Sequence, residues 1–500
     1  MSVETETNQK MHGLRADRLS FGEILAQSFA GIAPSTTPAA VLGPIFALSG
    51  NGTWLSFLLG LIGVILITIN INHFASRWAS SGSLYPYISK ALGLAAGVIC
   101  SWSLIFGYLF SGMAYLCGVA NFVVTFLGYV GIHSPGLDVF ILALAAIISW
   151  YFVYKDIQLS AVTMLRLELS SLIFILILCA ILWYNNGFAL DMQQLSLKGV
   201  TPGNVAMGIV LVIFSFTGFE GAVSLGDESK KPLQNIPKAL MWSNIISGSF
   251  FIITAYIVIL AFHATAGTNL AKTHAPLTFL AQNAGLGHLG QAVAVGAMLS
   301  FFAGLLGSLN PVARIVFTMS RSGLFPISLG SSHTTNRTPY KAATLSSLLI
   351  FLVPLLMTVN KIKLFDSLGY LGAISTFGFL SVYILISIAA PVYLYRINRL
   401  RSIDIITSIF AVMFILFPIL GSIGIRGSSW FPVPDYPNNI FPHIYLLYLI
   451  ITTIWFMIQR KRHPGLPERM RTHIEQVHLQ FLEKKDSTLL NQLPEEEKSV

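Results

Sequence analysis

The sequence predicts an all-α integral membrane protein of about twelve transmembrane helices, in which two five-helix repeats of inverted topology each begin with a helix broken in its middle. Three observations predict it. Hydrophobic residues make up 54% of the 500 and charged residues only 10%, with a mean hydropathy of +0.71, a composition suited to a bilayer. Apolar stretches of about 20 residues or more, the length that crosses a hydrocarbon core, recur along the whole chain. Two of them, the first and the sixth, are interrupted by turn-forming residues, and about four unbroken spans lie between, so a repeat of roughly five helices inverts its second copy.

The spans fall at 19-48, 53-76, 94-128, 137-155, 158-184, 203-226, 240-264, 289-320, 341-359, 366-395, 403-425 and 440-459. Ser20 and Glu23 have capping-box spacing at the start of the first, which makes Glu23 a structural residue. That span is then interrupted by Gly31-Ile32-Ala33-Pro34-Ser35-Thr36-Thr37-Pro38, where each proline removes a helix donor and Gly31 loosens the backbone. After the second span, Ser81-Gly82-Ser83-Leu84-Tyr85-Pro86-Tyr87 reads as a turn and an aromatic-rich interfacial anchor. The sixth span breaks at Ser215-Phe216-Thr217-Gly218-Phe219-Glu220-Gly221 and ends in Asp227-Glu228-Ser229-Lys230-Lys231-Pro232. Segment 265-288 is too polar to cross and either caps the outer side or is a plain loop. In the tail, Met470, Ile474, Val477 and Phe481 share one helical face, as in a helix that lies on the membrane or frays in solvent.

The resulting organisation is a cytoplasmic N-terminal segment at 1-18, a ten-helix transport core at 19-395, two additional helices at 396-460 and a cytoplasmic tail at 461-500. Arg77, Lys90, Lys155, Lys230, Lys231, Lys238, Arg321, Arg337, Lys341, Arg396, Arg399, Arg401, Arg460, Lys461 and Arg462 gather on one side, against Lys198, Lys272, Lys361, Lys363 and Arg426 on the other. Because Lys and Arg in short loops set orientation, both termini are expected in the cytoplasm, in a plasma (inner) membrane. The formal net charge of +9 therefore reflects topology rather than a nucleic-acid partner, since no basic patch interleaves with aromatics. Cys100, Cys117 and Cys179 lie inside apolar spans as packing residues, without metal spacing. No HExxH, Gly-x-Ser-x-Gly or phosphate-binding loop is present, so neither an enzyme nor a cofactor is indicated.

A broken helix offers N–H groups of positive partial charge at the start of one half and free carbonyls at the end of the other, a pair suited to a zwitterion such as an α-amino acid. Unpaired backbone costs several kcal/mol in hydrocarbon, so such a break persists where it lines a cavity or binds something. The plain alternative is that Pro34 and Pro38 only kink a packed helix; two matched breaks weigh against it. Glu220 beside the second break carries a proton, gates access, or accepts hydrogen bonds from neighbouring helices. Arg166, Glu168 and Arg314 read as snorkelling or mutually paired residues.

Phe214 to Glu220, Asp227 to Pro232 and Ile236-Pro237 resemble the sixth-helix signature of the amino acid/polyamine/organocation (APC) transporter superfamily. Ser308-Leu309-Asn310-Pro311-Val312-Ala313-Arg314 and Ser320-Arg321-Ser322-Gly323-Leu324-Phe325-Pro326 are similar to its eighth helix, and Gly82-Ser83-Leu84-Tyr85 to its loop after helix two. The likeness spans roughly residues 18 to 400. It implies the leucine-transporter fold, with substrate held between helices one and six and alternating access by rocking of a bundle against a scaffold. By position it also implies that Ile32, Ala33, Ser35 and Thr36 meet a substrate carboxylate, that carbonyls near Phe214, Ser215 and Thr217 hold the amino group, and that Phe214 is an aromatic gate. Relatives usually carry a Gly-Ser-Gly-like break in helix one. Here Pro34 offers no N–H, so carboxylate binding leans on the Ser35 and Thr36 hydroxyls. The lysine that some proton-driven relatives carry on helix five is replaced by Leu169-Ser170-Ser171, and Leu306-Gly307 stand where sodium-driven members place hydroxyls. The expected function is a permease for an amino acid or related small amine, working by Glu220-linked proton symport, exchange or facilitation; the alternatives are a polyamine or organic amine transporter and a substrate-sensing receptor on the same fold.

Overall fold

The computed structural model describes Leu14 and residues 17–129, 131–132, 134–265, 268–273, 275–428 and 430–485. Its helices are α1 (Phe21–Ile32), α2 (Leu42–Ser49), α3 (Thr53–Ala75), α4 (Tyr85–Leu92), α5 (Leu94–Tyr129), α6 (Leu137–Lys155), α7 (Ile157–Asn185), α8 (Met192–Leu195) and α9 (Pro202–Phe216). The chain continues through α10 (Pro232–Ala264), α11 (Pro276–Asn283), α12 (Gly287–Arg321), α13 (Tyr340–Val359), α14 (Leu364–Arg396), α15 (Ser402–Ile423), α16 (Phe441–Arg462) and α17 (Leu466–Lys485). Among the described residues, 11 stretches are long and apolar enough to cross a membrane. The first, Phe21–Ala75, runs for 55 residues. A straight helix of that length would reach about 80 Å at 1.5 Å per residue, against a core of about 30 Å. It turns back at Gly50, whose φ of 50° is open to glycine, and so supplies two crossings, which brings the total to twelve.

The breaks fall where the sequence placed them. The first crossing is α1, a turn at residues 33–36, a short π-helical stretch at Thr37–Val41, then α2. The sixth is α9, a turn, then a 3-10 stretch at Phe219–Leu225. The sixth crossing is also deeply buried, with 78% of its most apolar window inside the protein, whereas the last, Asn438–Arg462, has only 22% buried and presents Ile450, Ile451 and Ile454 outward. Apolar side chains stay outward only where lipid is the solvent, so the broken helices form the centre and α6, α13, α15 and α16 the rim. α5 packs along α14 and α12, and α12 along α7, enclosing the two breaks. The three cysteines are buried free thiols.

Two expectations need correction. The 85–92 segment is not an interfacial anchor: Tyr85 and Tyr87 are fully buried, α4 packs against α5 and α14, and the Tyr87 hydroxyl donates to the Trp78 carbonyl at 2.8 Å. Its aromatics seal the interior rather than face lipid. The tail helix α17 does not lie apart, because Met470 and Ile474 are buried and Glu475 pairs with Lys90 at 3.6 Å; the side chains of Val477 and Phe481 lie outside the described residues. Within segment 265–288, the Leu270–Lys272 turn and α11 pack over the second half of the first crossing, with the Leu270 carbonyl 2.9 Å from where a Cβ on Gly43 would stand.

Candidate substrate site

The two breaks meet backbone to backbone. A Cβ on Gly31 would stand 2.2 Å from the Gly218 carbonyl oxygen, and one on Gly218 would stand 2.7 Å from the Gly31 carbonyl oxygen. Gly31 is thus required by close approach, not by looseness, since it lies within helical α1. The left-handed residue of the first break is instead Ala33, at φ 47°, and that of the second is Gly218, at φ 96°. Gly307 of α12 presses on the same place, where a Cβ would be 2.9 Å from the backbone of Ala30 and Gly31. Gln27 donates to the Gly307 carbonyl at 2.9 Å, and the Tyr115 hydroxyl of α5 donates to the Gly31 carbonyl at 3.0 Å. The Tyr115 bond thus occupies the Gly31 carbonyl at the first break, and the Gln27 bond ties α1 to α12 beside it.

Glu220 lies fully buried just after the second break. The Tyr108 hydroxyl of α5 donates to its Oε1 at 2.7 Å, and the Tyr383 hydroxyl of α14 donates to its Oε2 at 2.6 Å. Both carboxylate oxygens are satisfied, which ties the break to two neighbouring helices with charge-assisted bonds.

A cavity of about 210 Å³ opens between the breaks. Ile32, Thr36, Thr37 and Val41 line it from the first crossing, Phe214 and Ser215 from the sixth, Ser111 and Tyr115 from α5, and Phe365 and Thr376 from α14. Its wall is mainly apolar and carries no charged side chain. The Phe214 ring packs against Gly372 of α14, whose Cβ, if present, would be 2.6 Å from the ring tip. Of the residues carried over by resemblance, the structure brings Ile32, Thr36, Phe214 and Ser215 to the cavity wall; Ala33, Ser35 and Thr217 are not part of that lining. The Thr36 hydroxyl donates to the Ala33 carbonyl and the Thr217 hydroxyl to the Phe214 carbonyl, at 2.8 and 2.9 Å, while the buried hydroxyls of Ser35 and Ser215 have no partner.

Sequence reasoning missed the role of position 168. Glu168 neither snorkels nor pairs with Arg166, which is exposed on the other side of α7. It is buried, and its Oε1 accepts the Ser35 N–H at 3.0 Å. The signal in the sequence was its place one residue before Leu169-Ser170-Ser171. Arg314 is likewise not a snorkelling residue. It forms a two-pronged buried pair with Glu228, Nε to Oε2 at 2.6 Å and Nη2 to Oε1 at 3.0 Å. The Glu228 carbonyl accepts the N–H groups of Arg18 and Leu19, each at 2.9 Å, and Lys230 donates back to the Leu19 carbonyl at 3.0 Å. The entry to α1 is thereby bound to the loop that follows the sixth crossing and, through Glu228, to α12. In this loop burial pushes the Asp227 carboxyl above its ordinary range, against a hydrogen bond from Ser81.

The amino acid permease family model matches residues 23–466. The chain belongs to the amino acid permease family. Among curated relatives, it is 26% identical over 467 residues to the branched-chain amino acid permease BcaP of Bacillus subtilis, covering 85% of this chain and 91% of that one. It is 24% identical over 358 residues to the low-affinity putrescine importer PlaP of Escherichia coli, covering 69% of this chain and 75% of that one. Among solved structures, MhsT in complex with L-phenylalanine superposes with a TM-score of 0.56 at 15% identity, over 82% of this chain and 99% of that one, a likeness of fold. This permease therefore has the leucine-transporter fold and is a multi-pass membrane transporter of small molecules rather than an enzyme.

Proposed function

We propose that this permease moves a neutral amino acid with an apolar side chain across the plasma (inner) membrane by alternating access, coupled to protons. The observation that carries the reading is the cavity between the breaks, apolar in wall, without a charged lining residue, and smaller than the roughly 300 to 1,000 Å³ of pockets for drug-sized ligands. A polyamine or a cationic side chain would bring a second charge into this wall with no carboxylate to meet it. The name of the branched-chain relative agrees with an apolar substrate. The substrate carboxylate lies at the Ser35-Thr36 side of the first break and its ammonium group at the Phe214-Ser215-Thr217 side of the second, where the unpartnered Ser215 hydroxyl stands. Phe214 closes over the substrate and Glu220 holds the second break in register with α5 and α14. With N- and C-termini in the cytoplasm, the Arg314–Glu228 closure is the inner gate, and the cavity belongs to an outward-facing state.

Purified protein challenged with L-leucine, L-isoleucine, L-phenylalanine, L-lysine and putrescine should gain thermal stability from the apolar amino acids, because a ligand that binds the folded state raises its melting temperature. Stabilisation by L-lysine or putrescine alone would overturn the assignment. Labelling of a cysteine at position 231 in intact cells by an impermeant reagent would overturn the orientation.

A further inference from the structure

We propose that Glu168 is the proton-binding residue of this permease, and that its carboxylate competes with the substrate carboxylate for the backbone N–H of Ser35 at the first break. The proposal rests on the amino acid reading above and adds the coupling device. Glu168 is 1% exposed, its Oε1 accepts the Ser35 N–H at 3.0 Å, and its Oε2 has no partner. Three further buried hydroxyls around it, those of Ser35, Ser171 and Ser300, also have none. The Ser35 and Ser300 hydroxyls stand close enough to the carboxyl to interact with it, yet neither closes a hydrogen bond to it. Ser171, one turn along α7, has its Oγ 3.1 Å from where a Cβ on Gly296 of α12 would be, one turn before Ser300. A cluster of four orphaned polar atoms is costly in a core where nearly every buried polar group is paired, and such a cluster marks a site with a changing occupant.

Among the described residues no ion pair involves Glu168. On the elements packed against α7 the charged groups are turned elsewhere. Glu23 of α1 faces Ser20 and Gln158, Arg314 of α12 faces Glu228, and Arg321 of α12 faces Asp227. His288 at the start of α12 and Lys238 of α10 are exposed, and His263 of α10 bonds Asp191. On α6, Lys155 bonds the Tyr151 hydroxyl and Asp138 accepts the Val139 N–H. Tyr115 of α5 is the titratable group within electrostatic reach, and its proton is committed to the Gly31 carbonyl. Glu220 differs in kind, because two tyrosine hydroxyls already fill both its oxygens.

The exchange balances. A proton from solvent adds to Oε2, where the Ser300 or Ser35 hydroxyl turns to accept it. The neutral carboxyl is a weak acceptor, so the Ser35 N–H transfers its hydrogen bond from Oε1 to the incoming substrate carboxylate, beside the cavity-lining Thr36. Two carboxylates cannot share that donor, and the pocket gains an anion only as Glu168 loses its charge. On release, the proton leaves Oε2 and Oε1 recaptures the N–H. Reciprocity then requires that protonation tighten substrate binding and that substrate binding take up a proton.

The test is L-leucine binding to the full chain in nanodiscs from pH 5.5 to 8.5, paired with infrared titration of the protonated-carboxyl stretch in the substrate-free protein. The wild type should lose affinity by up to about tenfold per pH unit on the alkaline side, and its carboxyl band should titrate over the same range. Glu168→Gln should bind L-leucine without pH dependence and lack the band; Glu168→Asp should keep both with a displaced midpoint, which covers the case of a Gln variant that does not fold. A Gln variant with the wild-type pH slope, or with the band intact, overturns the proposal, as does a wild-type affinity set by sodium rather than by pH. If L-leucine does not bind while the band titrates and vanishes in Glu168→Gln, the substrate assignment falls and the proton site stands.

Discussion

The two helix breaks are built alike and finished differently. Each carries one left-handed residue, Ala33 or Gly218, each presents a glycine to the other, and each has a buried carboxylate beside it. At the second break Glu220 accepts from Tyr108 and Tyr383, so its charged form is fully solvated by fixed hydroxyls and the break is tied to α5 and α14. At the first break Glu168 accepts one N–H and leaves an oxygen bare. Hydrogen-bond saturation separates a tether from a group that changes state. In a low-dielectric interior a satisfied carboxylate resists change, whereas a half-satisfied one is stabilised by whichever partner arrives.

The largest effect should come from removing what the breaks share. Gly31→Ala and Gly218→Ala each force the facing carbonyl away, and the second adds a left-handed conformation that costs alanine about 1 kcal/mol more. Both variants should lose uptake more than tenfold, with Gly218→Ala the less stable in a thermal melt; equal, near-native behaviour would mean that the breaks are not coupled. Next, Tyr108→Phe and Tyr383→Phe each strip one charge-assisted bond from buried Glu220, at about 1.5 to 3 kcal/mol. They should slow uptake while leaving its pH profile in place, as should Glu220→Gln. A Glu220→Gln variant whose uptake in reconstituted vesicles became pH-insensitive would reverse the contrast and return coupling to the second break.

A smaller effect is expected at the hydroxyls. Ser35→Ala with Thr36→Val should weaken L-leucine binding by roughly 1 to 3 kcal/mol, and Ser35→Ala alone should leave the melting temperature nearly unchanged because that hydroxyl has no partner. Unaltered affinity in the double variant would show that the two hydroxyls do not hold the carboxylate and would leave it to the backbone N–H groups of the first break.

The smallest lies far from both breaks, at the docked tail. Burial, with the nearby Arg321 charge, holds His473 down to about 4, and its Nδ1 lies 3.1 Å from the Ser322 hydroxyl. A histidine with its folded pKa depressed contributes stability that is complete above its ordinary value of about 6.5 and is lost as pH falls toward 4. Docking of α17 should therefore loosen in that window, seen as rising protease cleavage between α16 and α17. Cleavage that does not change with pH would show that Met470 and Ile474 alone hold the helix, and would leave the pH response of transport wholly to the breaks.

How much was legible follows from which residues announce themselves. Span lengths, the two breaks and the prominence of Glu220 stand in the linear sequence, because apolar run length, proline and glycine act locally through the backbone. Phe214 and Thr36 are singled out through the resemblance, and both line the cavity between the breaks. The role of position 168 cannot be read that way. A glutamate within an apolar run has the same appearance whether it faces lipid headgroups, an arginine or a backbone N–H, and Arg166 two residues away suggested the wrong partner. Tyr85 and Tyr87 misled in the same way, since aromatic residues near a span end suit both a membrane interface and a buried seal.

The sequence by itself determined that the chain spans a bilayer about twelve times, that its first and sixth crossings are interrupted, and that a carboxylate sits at the second interruption. Those features depend on residues that lie within a single span of the chain. Only the tertiary structure decided that Gly31 is needed for contact with Gly218 rather than for flexibility, that Arg314 answers Glu228, and that Glu168 reaches the Ser35 N–H. Each of these joins groups far apart in the chain, 133 residues in the case of Ser35 and Glu168. Which distant groups meet is set by how the helices pack around the breaks, and packing is a property of all their faces together.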